Sequence, residues 1–163
     1  MSTVTLRPLL STDAKAFMSW GGDPEVTQSL FWEHYTDIEV ARSFIVDVVE
    51  KHPWFMAICI DDNPVGAITL DQGKLRASLR AELGYVISKS FWNTGVTSEA
   101  VRLALEKGFK DLGVKRIEAY VDPENIGSIR VLEKNGFKLE GLLKKYVVHR
   151  GNIRDRHLYA VTI

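Results

Sequence analysis

The sequence has little that would place the protein in an oxidising, membrane or nucleic-acid environment. A single cysteine among 163 residues, Cys59, excludes an internal disulfide and favours a reducing compartment. No apolar run approaches the roughly 20 residues that cross a bilayer, and the start of the chain lacks the pattern of a secretory signal. Lysine plus arginine and aspartate plus glutamate each number 21, so there is no basic excess for binding nucleic acid. We therefore expect a soluble cytoplasmic protein, with a nucleocytoplasmic location as the alternative, that binds neither membranes nor nucleic acid.

What the sequence does contain is a succession of strand and helix patterns without repeats, low-complexity segments or linkers. We predict one domain spanning residues 1–163, a length that is sufficient to bury a sizeable core. Two turn signals, Asp61–Asn63 and Arg150–Asn152, separate β-rich segments and predict antiparallel hairpins. Regular alternation of parallel strands with helices, the pattern of a doubly wound nucleotide-binding domain, is therefore not expected. The pattern predicts a mixed α/β sheet covered by helices.

Three helices have recognisable ends in the sequence. Apolar residues at helical spacing predict a helix over Val96–Leu112, and Gly113 suits the position that follows a helix. Asn125 is a good N-cap for a helix that runs through Asn135. A capping box, with Thr36 as the cap, predicts the start of a third helix.

The turn before the helix at Val96 is the first candidate binding site. A strand that ends near Ser88 leads through Gly95 into this helix, whose first amides have no intrahelical partner. These amides and the positive end of the helix dipole suit an anion such as a pyrophosphate. The candidate contacts are Asn93, Thr94, Gly95, Val96, Thr97 and Ser98. An ordinary strand-to-helix turn that needs one glycine is the alternative.

The residues around this turn resemble a known enzyme family. The segment 92–97 resembles the acetyl-CoA pyrophosphate loop of the GNAT N-acetyltransferases, Gln/Arg-x-x-Gly-x-Gly/Ala, with Trp92 and Thr97 as departures. The wider match is to the branch that includes the ribosomal-protein N-terminal acetyltransferases, and it is strongest from about residue 81 to residue 141. It is carried by Tyr85-Val86-Ile87, Ser98-Glu99-Ala100, Asn125-x-x-Ser128 and Leu132-Glu133-Lys134-Asn135-Gly136-Phe137.

The resemblance implies both a fold and an activity. The fold would be a mixed, mostly antiparallel sheet with central splayed parallel strands and helices on both faces. The activity would be transfer of an acetyl group from acetyl-CoA, without a metal, to a primary amine that attacks directly in a ternary complex. The acceptor would be a protein N-terminus, a lysine or a small molecule, and the protein a monomer or homodimer. The resemblance also implies contacts of the pantetheine arm with the backbone near Tyr85, Val86 and Ile87 and with Asn125, which could instead be only a helix cap.

The same resemblance assigns an acid and a base. An amine attacks a thioester only in its neutral form, so a base with a pKa near 7 helps. Glu82 is the leading candidate, because it precedes the acetyl-CoA strand in an Ala-Glu-Leu setting; the alternative is a carboxylate that is paired with Arg80 or Lys89. Ser128 would meet the departing thiolate, or would only satisfy amides at a helix start.

Other residues leave the mechanism open. The branch that this sequence resembles carries a glutamate where Val147 stands here, so His149 and Asp155 are alternative bases. Because the sequence lacks this glutamate, the alternative function is a catalytically weak acetyl-CoA-binding module that acts as a sensor or binds a partner. Tyr120 and Tyr146 are alternative acids for the departing thiolate. Four aromatic residues could line an acceptor groove or pack in the core, namely Phe31, Trp32, Tyr35 and Trp92.

Overall fold

The strands of the protein form one seven-stranded sheet in a computed structural model that describes residues 2–163. They are β1 (Val4–Pro8), β2 (Phe55–Ile60), β3 (Asn63–Gln72), β4 (Arg80–Ile87), β5 (Arg116–Val121), β6 (Lys138–His149) and β7 (Asn152–Thr162). Their order across the sheet is β1-β2-β3-β4-β5-β7-β6. Every neighbouring pair is antiparallel except β4 and β5, which are parallel. The expected mixed and mostly antiparallel sheet, with a parallel pair at its centre, is confirmed.

Helices lie on both faces of this sheet, as expected. They are α1 (Ala14–Gly21), α2 (Pro24–Thr27), α3 (Ile38–Phe44), α4 (Val96–Leu112) and α5 (Ile126–Lys134). Helix α3 continues into a wider π-helical turn, Ile45–Val49. Among the helices of residues 2–163, none combines the length and the apolar character that crossing a bilayer requires.

Two hydrophobic cores follow from the alternation of side chains along the strands. In β2, Ile58 packs on the face that α4 and α5 cover, whereas Ala57 and Cys59 pack on the face that α1 and α3 cover. The second core is rich in aromatic rings around the buried Phe17. Helices α1 and α3 cover only the part of this sheet face that β1, β2 and β3 form. Glu82, on the central strand β4, therefore stays exposed to solvent.

The helix ends agree with the sequence at α4 and α5 but not at α3. Gly113 ends α4 with a left-handed φ of 64°, and the Asn125 side chain accepts a hydrogen bond from the amide of Ser128 at 3.1 Å. At α3 the predicted cap, Thr36, is wrong. Asp37 is the cap, because its extended backbone lets the carboxylate accept from the amide of Glu39 at 2.8 Å.

Candidate active site

A crevice opens in the middle of the sheet where β4 and β5 separate. The two strands pair only at their beginnings, and the last pair is Glu82 opposite Glu118. Beyond it, Leu83–Ile87 and Ala119–Val121 have no ladder with each other, although β4 stays paired with β3 and β5 with β7. The two central strands therefore leave facing backbone edges free at their carboxyl ends.

The register of β3 and β4 decides which backbone groups face this crevice. The amide of Ser88 donates to the carbonyl of Val65 at 2.8 Å. In an antiparallel ladder, bonded and non-bonded positions alternate, so Val86 also directs its amide and carbonyl towards β3. Tyr85 and Ile87 direct theirs towards the crevice. The carbonyl of Ile87 accepts the indole N–H of Trp92 at 3.1 Å, which fixes the following loop against the end of β4.

That loop leads to an uncapped helix start. Gly95 adopts a φ of 86° and immediately precedes α4. The first amide bonded into the helix is that of Glu99, which donates to the carbonyl of Gly95 at 3.1 Å. The amides of Val96, Thr97 and Ser98 come before it, and no side chain within residues 2–163 caps the helix. These amides and the positive end of the dipole of a 17-residue helix suit an anion at the wide end of the crevice.

A residue that the sequence did not single out holds this helix start in place. The Asn135 side-chain amide donates to the carbonyl and hydroxyl of Ser98, both at 3.2 Å, and to the carbonyl of Val131 at 2.9 Å. The end of α5 is thereby tied to the beginning of α4. The sequence offered Asn135 only as the end of a helix and as part of the family resemblance, and neither reveals the contact with Ser98.

The start of α5 lies across the crevice from β4. The phenol of Tyr85 is 2.5 Å from the hydroxyl of Ser128 and 3.4 Å from its carbonyl oxygen. Burial raises the pKa of Tyr85 to about 12, although the hydrogen bond with Ser128 opposes the shift. Ser128 is half-buried, and Asn125 beside it holds the amide of Ser128 as a helix cap.

Glu82 lies at the apex of the crevice, on the opposite face of the sheet. Its pKa is raised because the carboxylate is partly withdrawn from water and lies near Asp71 and Glu118, while Arg80 opposes the shift. These acids are its cross-strand partners on β3 and β5. Within residues 2–163 the Glu82 carboxylate has no hydrogen-bond partner. It borders a polar cavity of about 150 Å³ lined by Asp71, Gly73, Arg80, Glu82, Glu118 and Tyr120.

The nearby Glu118 differs from Glu82 because its charge is compensated. It is buried, and it accepts hydrogen bonds from Arg80 at 3.0 Å, from Arg116 at 2.7 Å and from the phenol of Tyr120 at 3.2 Å. Because Arg80 is hydrogen-bonded to Glu118, it is not the hydrogen-bond partner of Glu82 that the sequence offered as an alternative. The other alternative partner, Lys89, is bonded to Glu25 at 2.6 Å. Of these two acids at the apex, only Glu82 therefore has a carboxylate without a hydrogen-bond partner among residues 2–163.

Comparison with known proteins identifies the family. Residues 3–138 match the model of the acetyltransferase (GNAT) domain. The chain belongs to the GNAT acetyltransferase family. A curated relative, the uncharacterized N-acetyltransferase p20 of Bacillus licheniformis, is 31% identical over 167 residues, which cover 97% of this chain and 92% of the relative. Like its relatives that bear that name, this member is an N-acetyltransferase.

Solved structures agree with this membership. A GNAT-family acetyltransferase from Bacillus anthracis superposes with a TM-score of 0.86 at 27% identity, covering 99% of this chain and 98% of the other. Mycobacterium smegmatis RimJ, solved in complex with CoA-disulfide, is 33% identical with a TM-score of 0.76, covering 98% of this chain and 81% of RimJ. The resemblance to the GNAT acetyltransferases is thus confirmed, and the structures that share this fold include RimL, a ribosomal L7/L12 alpha-N-protein acetyltransferase, at 23% identity with a TM-score of 0.85, covering 99% of this chain and 94% of RimL.

The alternative bases of this GNAT chain are engaged elsewhere. Val147, where the resembled branch carries a glutamate, is the residue at which the pairing of β6 with β7 resumes after an irregularity that begins at Leu143. The Asp155 carboxylate accepts from the amide of Lys145 at 2.8 Å. His149 lies 3.0 Å from the carbonyl of Leu30 through its Nε2. Neither candidate is as free as Glu82.

The predicted aromatic residues divide between core and surface. Trp32 and Tyr35 pack around Phe17 in the second core, so the core alternative describes them better. Phe31 is exposed, and the Arg156 guanidinium lies 5.7 Å from its ring centre. Of the two alternative acids, Tyr120 stacks on Tyr146 with ring centres 5.3 Å apart. Burial is the main cause that raises the pKa of Tyr120 above its ordinary value.

No group of three or more potential metal-ligating side chains occurs in the part of the chain that the structure describes.

Proposed function

We propose that the protein transfers the acetyl group of acetyl-CoA to a primary amine, which attacks the thioester directly while both substrates are bound. The observation that carries this proposal is the crevice between β4 and β5. It has an uncapped helix start at its wide end and an unpaired carboxylate, Glu82, at its apex. CoA bound to the related RimJ supports the choice of coenzyme.

The coenzyme would occupy the crevice from the outside inwards. The amides of Val96, Thr97 and Ser98 would hold the pyrophosphate, with Asn93 and Thr94 beside it in the exposed loop. The pantetheine arm would run along the free edge of β4, where Tyr85 presents backbone groups, and past Asn125. This arrangement would place the thioester near the apex, between Glu82 on one face and Ser128 on the other.

The chemistry then needs one base and one donor. The amine nitrogen forms a bond to the thioester carbon, and Glu82 accepts the proton that the nitrogen loses, directly or through a water molecule. Its raised pKa makes it a stronger base than an ordinary carboxylate. The carbon–sulfur bond breaks when the intermediate collapses, and the hydroxyl of Ser128 donates a hydrogen bond to the thiolate. The products are the acetamide and CoA.

The charges around Glu82 favour a cationic acceptor. Both Glu82 and Asp71 are exposed on the face that would receive the amine. Negative charge there attracts an ammonium ion and stabilises its positive charge until the proton is lost. A protein N-terminus, a lysine and a small amine all meet this requirement.

A panel assay tests the proposal. Peptides with free N-termini, peptides with lysine, amino acids and polyamines are incubated with acetyl-CoA, and CoA release is confirmed by the mass of the acetylated product. We expect at least one amine to be acetylated, and Glu82→Gln to lower the rate by about 100-fold, the lower end for an exposed general base. Glu106→Gln, which changes an exposed acid on α4, is the matched control and should stay within about twofold of wild type.

One result would favour the alternative function. If acetyl-CoA raised the melting temperature but no amine in the panel were acetylated, the protein would be a coenzyme-binding sensor, and the proposed transfer would be refuted. Equal rates for wild type and Glu82→Gln from pH 6 to 9 would refute the choice of base alone.

A further inference from the structure

The hydrogen bond between Tyr85 and Ser128 joins two elements across the crevice. Tyr85 belongs to β4, Ser128 to the first turn of α5, and 43 residues separate them in the sequence. We propose that Tyr85 is a positioning residue that directs the hydroxyl hydrogen of Ser128 towards the sulfur of the departing coenzyme. This inference rests on the proposed function and gives Tyr85 a role beyond backbone contact with the pantetheine arm.

The hydrogen-bonding capacity of the two groups supports this direction of donation. The two protein acceptors within reach of the Tyr85 hydroxyl both belong to Ser128, namely its hydroxyl at 2.5 Å and its carbonyl oxygen at 3.4 Å. Either hydroxyl could donate in the shorter contact, and the proposal takes Tyr85 as the donor because a phenol is a more acidic hydroxyl than that of a serine. A serine hydroxyl has one hydrogen and two lone pairs, so accepting from Tyr85 leaves the hydrogen free.

Nothing else in residues 2–163 takes up that hydrogen. The hydroxyl of Ser128 has no hydrogen-bond partner there except Tyr85, and the Asn125 side chain is engaged by the amide of Ser128 rather than by its hydroxyl. The hydrogen is therefore available to a group in the crevice. When the carbon–sulfur bond breaks, the electron pair goes to sulfur, and this hydrogen bond stabilises the thiolate.

The raised pKa of Tyr85 keeps its phenol protonated, as the proposal requires of a residue that orients Ser128 without ionising. Its pKa of about 12 lies well above that of an ordinary thiol, about 8.5. The phenol thus stays protonated while the thiolate forms. The proton of the amine goes to Glu82 and then to solvent, and the released thiolate takes its proton from solvent according to its own pKa. No alkoxide or phenolate is required.

A double-mutant cycle tests the assignment. We expect Tyr85→Phe to lower kcat by about three- to tenfold, the effect of losing one hydrogen bond, with the KM for acetyl-CoA changed by less than about twofold. Ser128→Ala should lower kcat at least as much, and the double variant should be no slower than Ser128→Ala, because Tyr85 acts only through Ser128.

A second phenol that reaches α5 from a strand provides the control. Tyr159 on β7 donates to Glu133 at 3.2 Å, away from Ser128. Tyr159→Phe should leave kcat within about twofold of wild type even if it lowers the melting temperature. A wild-type kcat in Tyr85→Phe, or effects of Tyr85→Phe and Ser128→Ala that multiply, would overturn the inference. Absence of turnover in the wild-type protein would instead overturn the proposed function.

Discussion

Two glycines at opposite ends of α4 offer a controlled test of the anion site. Gly95 and Gly113 have φ values of 86° and 64°, and a Cβ built on either one meets no atom within 4 Å. Alanine at either position therefore incurs the left-handed backbone cost, about 1–2 kcal/mol, without a steric clash. For a chain of this size we expect each variant to melt about 2–8 °C lower than wild type.

The two variants should differ in coenzyme binding. The methyl group of Gly95→Ala would be added at the turn that precedes the amides of Val96, Thr97 and Ser98, where the pyrophosphate is proposed to bind. Loss of one hydrogen bond to a charged group costs about 1.5–3 kcal/mol, which weakens binding by roughly 10- to 150-fold. Gly113→Ala changes the far end of the helix and should leave the affinity within about twofold.

Calorimetry measures both effects. Scanning calorimetry gives the melting temperatures, and titration with CoA gives the dissociation constants. Equal loss of stability with a selective loss of affinity in Gly95→Ala is the expected outcome. If the two variants bound CoA equally well, the start of α4 would not be the pyrophosphate site.

Three further predictions follow from the charges and hydrogen bonds of the site. Asp71→Asn removes a charge that raises the pKa of Glu82, so the acid limb of the kcat/KM profile should move to lower pH. The control Asp47→Asn changes an exposed carboxylate that is not among the charges acting on Glu82, and it should leave the limb in place. An unmoved limb in Asp71→Asn would contradict Glu82 as the base. Because the folded-state pKa of Glu82 is raised, its ionised form costs stability above the ordinary glutamate pKa, about 4.3. The Glu82→Gln variant should therefore have a melting temperature no lower than that of wild type at pH 7, and any increase should vanish at lower pH. A clearly lower melting temperature at pH 7 would mean that Glu82 has a structural partner. Asn135→Ala removes the link to Ser98 and should cost about 1–3 kcal/mol by thermal denaturation and weaken CoA binding, whereas unchanged affinity would show that the link does not organise the anion site.

The element boundaries that the sequence predicted well are those with a local cause. Helix α4 begins at Val96 and ends at Leu112 as predicted, because its apolar period is bounded by two glycines with left-handed backbones. The start of α3 was misplaced by one residue, because Thr36 and Asp37 both carry oxygens suited to capping. Only the backbone conformation distinguishes them. The π-helical turn after Phe44 had no sequence signal.

The candidate site depended more on tertiary contacts. Arg80 lies near Glu82 in sequence, yet it pairs with Glu118 across the sheet, which only the register of β4 and β5 reveals. The bond between Tyr85 and Ser128 likewise requires the placement of α5. The crevice forms where the hydrogen bonding between β4 and β5 stops. Backbone hydrogen bonding does not depend on the identity of the side chains, so only the family resemblance predicted the crevice.

A crystal structure of the protein with CoA would test the central claim most directly. We expect pyrophosphate oxygens within about 3.2 Å of the amide nitrogens of Val96, Thr97 and Ser98. The pantetheine arm should lie between Leu83–Ile87 and Ala119–Val121. A coenzyme bound elsewhere, with β4 and β5 hydrogen-bonded to each other along those segments, would contradict the account.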